Sequence, residues 1–149
     1  MKKETLPKMT YETLSTAYKD FDSNAEAPQA FIDYCAAAGN PDPNTCAVRL
    51  SSALLAADST FFAGQLDGVL AWEGRPTKAA ELAIILNKKF GAAKLVKKAD
   101  VAGKTGVLFF DTITGSSVTG HISTWTGTAV GDGGDYFGSC PRVYFWELE

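Results

Sequence analysis

The chain of 149 residues contains one histidine, His121, and three cysteines, Cys35, Cys46 and Cys140. A thiol and an imidazole are the minimum equipment of a cysteine hydrolase: the thiolate attacks, and the imidazole keeps it ionised and protonates the leaving group. A free thiol has a pKa of about 8.5, and a helix N-terminus or a neighbouring imidazolium stabilises its thiolate. Only Cys46 stands at the start of a helical stretch, Thr45-Cys46-Ala47-Val48-Arg49-Leu50-Ser51-Ser52-Ala53-Leu54. Cys35 falls mid-helix beside Ala36 and Ala37, and Cys140 precedes Pro141 in a loop. His121 lies in the strand-like run Gly120-His121-Ile122-Ser123-Thr124-Trp125, where alternation puts it on one face with Ser123 and Trp125. Free cysteines and lone histidines also serve as core residues. The chemistry therefore depends on the two meeting in space.

Further groups fit the same chemistry. The Cys46 N–H belongs to the first helical turn, whose donors lack intrahelical partners, so it is available to a developing oxyanion. A general base works best when its second nitrogen is held by an acceptor. Asp132 and Asp135, in Val130-Gly131-Asp132-Gly133-Gly134-Asp135-Tyr136, are candidates, although Asp-Gly is also a hairpin turn signal. Asp111, after Val107-Leu108-Phe109-Phe110, is a third and weaker one. Arg49 shares a helical face with Cys46, either to meet a substrate carboxylate or as a solvated or ion-paired side chain. One histidine and dispersed cysteines do not make a zinc site, and Asp132 to Asp135 lacks the ligand density of a calcium loop. With no phosphate-binding glycine loop either, no cofactor or metal is expected.

The elements that must position these groups fall into two blocks. Helices are expected over about Thr10–Phe21, capped by Thr10, and Pro28–Ala38, with Pro28 at the first helical position and Gly39 as the stop. A third, about Thr45–Ala57, capped by Asn44 or Thr45, is apolar nearly all round and so belongs inside the domain. A fourth spans about Pro76–Phe90. Strands are expected at Lys94–Lys97, Gly106–Asp111, Gly120–Thr126 and Arg142–Leu148. Helices followed by strands imply an α+β fold with a central helix starting at Cys46, packed on an antiparallel sheet, in one domain over 1–149.

The formal net charge of −3 argues against nucleic acid as a partner, since little counterion release is available. No run approaches the roughly 20 apolar residues of a membrane span. Met1 to Lys8 carries charge without an apolar segment behind it, so synthesis in the cytoplasm without a signal peptide is expected. Three cysteines argue against a disulfide framework; at most one bridge forms, and Cys35 with Cys140 would leave Cys46 free.

The Cys46–Leu54 block, followed by Gly103-Lys104-Thr105-Gly106-Val107, Gly120–Trp125 and Phe145-Trp146-Glu147-Leu148, resembles the fourth family of type VI secretion amidase effectors over roughly residues 10 to 149. The resemblance implies a papain-like or NlpC/P60-like fold and a Cys-His-Asp arrangement, with Cys46 as nucleophile, His121 as base and Asp132 as its orienter, Asp135 being the alternative. It implies cleavage of the γ-D-glutamyl to meso-diaminopimelate bond of peptidoglycan stem peptides, after injection by the type VI machinery into a competitor's periplasm. A cognate immunity protein is implied as well. Some relatives flank the acidic residue with two cysteines that can pair; here Val130, Gly131, Gly133 and Gly134 stand there. Competing expectations are cleavage of the diaminopimelate to D-alanine crosslink, acyl transfer, or a non-catalytic module binding cell-wall peptide or protein.

Overall fold

The computed structural model describes residues 9–23, 26–40, 43–113, 120–131 and 133–149. Helix α1 covers Tyr11–Ser23, and Thr10 Oγ1 caps it by accepting the Thr13 N–H at 3.2 Å. Helix α2, Glu26–Ala37, begins two residues before Pro28. Proline is tolerated there because the first turn has no intrahelical use for its missing N–H. Helix α3, Cys46–Ala57, buries eight of its twelve residues and is packed by α1 and α2 and by three of the elements that follow it, at Arg75–Pro76, Ala79–Phe90 and His121–Trp125.

A short ribbon, absent from the expected elements, comes next. Ala71–Trp72 (β1) and Arg75–Pro76 (β2) pair antiparallel about Glu73 and Gly74, whose φ values of 47° and 76° are both positive, as a two-residue hairpin turn requires. Pro76 therefore sits in a strand, and helix α4 starts at Ala79 and runs to Phe90. The ribbon answers the polar residues of α3. Ser51 Oγ donates to the Pro76 carbonyl at 3.1 Å, and Arg75 Nε donates to Ser52 Oγ at 2.8 Å. Buried hydroxyls are tolerable only with such partners.

The remaining elements are β3 (Lys94–Leu95), α5 (Lys98–Val101), β4 (Gly106–Phe110), β5 (His121–Trp125) and β6 (Val143–Glu147). The four longer-range strands form one antiparallel sheet in the order β3-β6-β4-β5, so β5 is an edge strand. The turn α5 was not anticipated, being too short for helical periodicity to show; Asp100 Oδ2 accepts the Lys97 N–H at 2.8 Å and closes its start.

Both faces of the sheet are covered. Val107, Phe109, Ile122 and Trp146 join α1, α3 and α4 in the main core. Leu108, Phe110, Trp125 and Phe145 pack on the other face with Val101 of α5, Val130, Tyr136 and Phe137. Strands buried on two faces read as continuous apolar runs rather than alternating ones, as Gly106–Phe110 does. Leu54, fully buried at the middle of the main core, should be costly to truncate. Leu54→Ala is expected to lower unfolding stability by about 2–5 kcal/mol, measured by urea denaturation.

Candidate active site

Cys46 is the first residue of α3 and only 5% exposed. Thr45 has helical dihedrals and makes no side-chain cap bond. The cap comes from Asn44, whose Oδ1 accepts the Cys46 N–H at 3.1 Å. The amide end of the same side chain, Nδ2, donates to the Gly120 carbonyl at 3.2 Å. One carboxamide thus spans from the cysteine to the residue before His121. It also engages the Cys46 N–H that the sequence left open for an oxyanion.

Cys46 and Gly120 line one cleft of about 290 Å³ together with Asn44, Thr77, Lys78, Ala79, Ala80, Phe109 and Asp111. Lys78 to Ala80 are the start of α4, which has no side-chain cap. Two helix N-termini, with the partial positive charge each carries, therefore open on the cleft. Asp111 forms part of the wall and is paired with Arg142 at 3.1 Å.

His121 is the first residue of β5 and is 8% exposed. Its ring lies 6.1 Å from Phe110, nearly parallel at 30°, and meets Tyr136 edge-on at 5.2 Å. Its Nε2 is sealed from solvent. These contacts put the ring on the Trp125 face, as alternation requires. Ser123, expected on that face, shares a hydrogen bond of 3.1 Å with the hydroxyl of Tyr18 of α1. Cys46 belongs to the core on one face of the sheet and the His121 ring to the aromatic cluster on the other, and Asn44 joins the start of α3 to the residue that precedes β5.

Of the aspartates proposed to orient the histidine, Asp132 lies outside the described residues. The residues before it are fixed to the histidine strand, Val130 pairing with Trp125 and the Gly131 N–H donating to the Thr124 carbonyl at 2.8 Å, while the Gly133 N–H after it donates to the Val130 carbonyl at 2.9 Å. A Cβ on Gly131 would collide with Thr124 Oγ1, so only glycine permits this approach. Asp135 is committed differently. Its Oδ2 accepts from Lys98 Nζ at 2.7 Å and its Oδ1 from the Phe137 N–H at 3.0 Å. The Lys98 hydrogen bond, chiefly, holds its carboxyl below the usual aspartate range.

The Arg49 guanidinium lies 6.0 Å from the Tyr18 ring centroid. All three cysteines are free. Cys35 packs with Phe31, Val48 and Trp72, whereas Cys140 borders the core of the other sheet face and donates to the Arg142 carbonyl. The Cys35–Cys140 bridge entertained from sequence is therefore not formed. Among the described residues, no three His, Cys, Asp or Glu side chains come together as metal ligands.

The family model of the type VI secretion system amidase effector protein 4, Tae4, matches residues 43–146, a span that takes in Asn44, Cys46, His121 and all of the sheet but its last residue, Glu147. The chain belongs to the Tae4 family. Among solved structures, Tae4 from Enterobacter cloacae is similar at 18% identity and a TM-score of 0.71, covering 98% of this chain and 100% of that one. The Tae4–Tai4 effector–immunity complex from the same organism gives 21% identity and a TM-score of 0.69, covering 96% and 100%. The Tae4–Tai4 complex from Salmonella Typhimurium gives 18% and 0.70, again covering 96% and 100%. No curated protein matches the chain. The α+β architecture is the papain-like or NlpC/P60-like one of Tae4 structures, and Tae4 proteins are peptidoglycan amidases that use a Cys-His-Asp triad.

Two outcomes follow from the geometry around the histidine strand. Gly131→Ala must displace Thr124 or the loop, and overpacking of this kind costs about 1–3 kcal/mol; a lowered thermal midpoint together with reduced peptidoglycan cleavage is expected. The folded-state pKa of Asp135 lies below its unfolded value. The Lys98 pair therefore stabilises the fold above the ordinary aspartate range of about 4, and that contribution is lost as pH falls through the lowered folded value. Both side chains are more than a third exposed, so solvent screening limits the effect to about 0.2–1 kcal/mol. Lys98→Met should raise the Asp135 titration midpoint toward its ordinary value, as read from carboxyl carbon shifts by NMR.

Proposed function

We propose that this Tae4 effector, acting as one domain over 1–149, cleaves the γ-D-glutamyl to meso-diaminopimelate amide of stem peptides with Cys46 as nucleophile, His121 as base and Asp132 as its orienter. The observation that carries the reading is the shared cleft: the thiol-bearing start of α3 and the residue preceding His121 line it together and are joined by Asn44. The Cys46 thiolate attacks the amide carbonyl, and the positive ends of α3 and α4 offset the charge that develops on oxygen. His121 protonates the leaving amine, then draws a proton from the water that hydrolyses the thioester. The choice of Asp132 is supported by the commitment of both Asp135 oxygens elsewhere and by the pinning of Gly131 to the histidine strand.

The wall formed by Lys78 and the start of α4 suits an anionic peptide. A γ-linked D-glutamyl residue fits that requirement, because its α-carboxylate stays free beside the scissile amide. Delivery is by the type VI machinery into the periplasm of a target cell, and a cognate immunity protein occludes the cleft in the producer, as the Tae4–Tai4 pairs suggest. Among the described residues no helix is long and apolar enough to cross a membrane.

Cys46→Ala is expected to reduce muropeptide cleavage by at least about 10³-fold with an unchanged circular dichroism spectrum. Mass spectrometry of digested sacculi should show stem peptides cut between D-glutamate and diaminopimelate. Conversion of crosslinked dimers to intact tetrapeptide monomers would instead assign the diaminopimelate to D-alanine bond.

A further inference from the structure

We propose that Asn44 is the positioning residue of the reactive pair, setting the distance between the nucleophile helix and the histidine strand; the inference rests on the assignment of Cys46 and His121 as that pair. Asn44 uses both ends of its carboxamide, Oδ1 on the Cys46 N–H at 3.1 Å and Nδ2 on the Gly120 carbonyl at 3.2 Å. Each bond fixes a peptide plane adjoining a reactive residue, the one entering Cys46 and the one shared by Gly120 and His121.

The remaining supports of these two residues meet through apolar packing, Ile122 of β5 lying in the same core as α3. Cys46 is carried by α3, whose position is set by the hydrophobic core. His121 is carried by the sheet, where it pairs with Phe110, and by the rings of Phe110 and Tyr136. The Asn44 side chain adds a polar link between those two supports at the cleft itself, and it is partly buried there.

Helix capping alone does not require asparagine. Serine, aspartate and asparagine are about equally good caps, since capping needs only an acceptor. The second bond needs a donor reaching a carbonyl about one side-chain length farther on, which ionised aspartate lacks and serine is too short to supply. Asn44→Ser and Asn44→Asp therefore keep the start of α3 and remove the link to Gly120. A displacement on the order of 1 Å between reacting groups can cost about 10²-fold in rate.

The test compares the parent, Asn44→Ser, Asn44→Asp and His121→Ala for muropeptide cleavage, thermal midpoint and, apart from the aspartate variant, the pH profile of Cys46 alkylation by iodoacetamide. Both Asn44 variants are expected to keep the parental thermal midpoint within a few degrees and to lose about 10–100-fold in kcat, with KM changed less than about threefold. The alkylation profile of Asn44→Ser should move to higher pH, toward that of His121→Ala, because the imidazole no longer sits beside the sulfur. Parental kcat and a parental profile in Asn44→Ser would overturn the positioning role and leave Asn44 as a cap only. If His121→Ala itself cleaves and alkylates like the parent, the pairing with Cys46 falls, and the role of Asn44 with it.

Discussion

Enclosure of α3 is the constraint on which the rest depends. A helix that is apolar nearly all round has no side to give to water, so other elements must surround it, and α1, α2, α4, the small ribbon and β5 do so. Each fully buried leucine, such as Leu50 or Leu54, contributes roughly 1.5–3 kcal/mol relative to exposure. That is more than any single hydrogen bond at the site, typically about 1 kcal/mol net. Hydrophobic packing thus fixes where the helix begins, to within the tolerance of a packed core. Polar contacts refine the last fraction of an ångström.

The same division holds at the pair proposed to react. Cys46 and His121 are both nearly buried, and each is attached to a scaffold that does not yield: one to the start of the enclosed helix, the other to a strand whose five residues are all buried. The cleft beside the thiol is lined in part by the starts of α3 and α4. Ser51 and Ser52 show the same economy. Polar atoms on the central helix are admitted only where Pro76 and Arg75 meet them.

Much of this was legible in the sequence, for reasons that differ by element. The central helix and the five-residue strands β4, β5 and β6 announced themselves through composition, because burial favours runs rich in apolar, β-branched and aromatic residues. Cys46 stood out by its place at a helix start and His121 by being the sole histidine. The ribbon was missed because a strand of two residues has no period to read, and Glu73-Gly74 was its only signal; Pro76 then looked like the head of a helix. Asn44 and Thr45 are both good caps, and nothing local tells which one faces Gly120, 76 residues away. Asp135 likewise has a partner 37 residues distant in Lys98, a pairing that no local pattern encodes.

The three cysteines also bear on where the fold can exist. Cys35 packs against Phe31 and Trp72, Cys140 against the far face of the sheet, and neither is linked to the other or to Cys46. Val130 and Gly131 are secured to β5 by backbone hydrogen bonds rather than by sulfur. The packing accordingly needs no oxidase to complete it and holds no disulfide for a reductant to open.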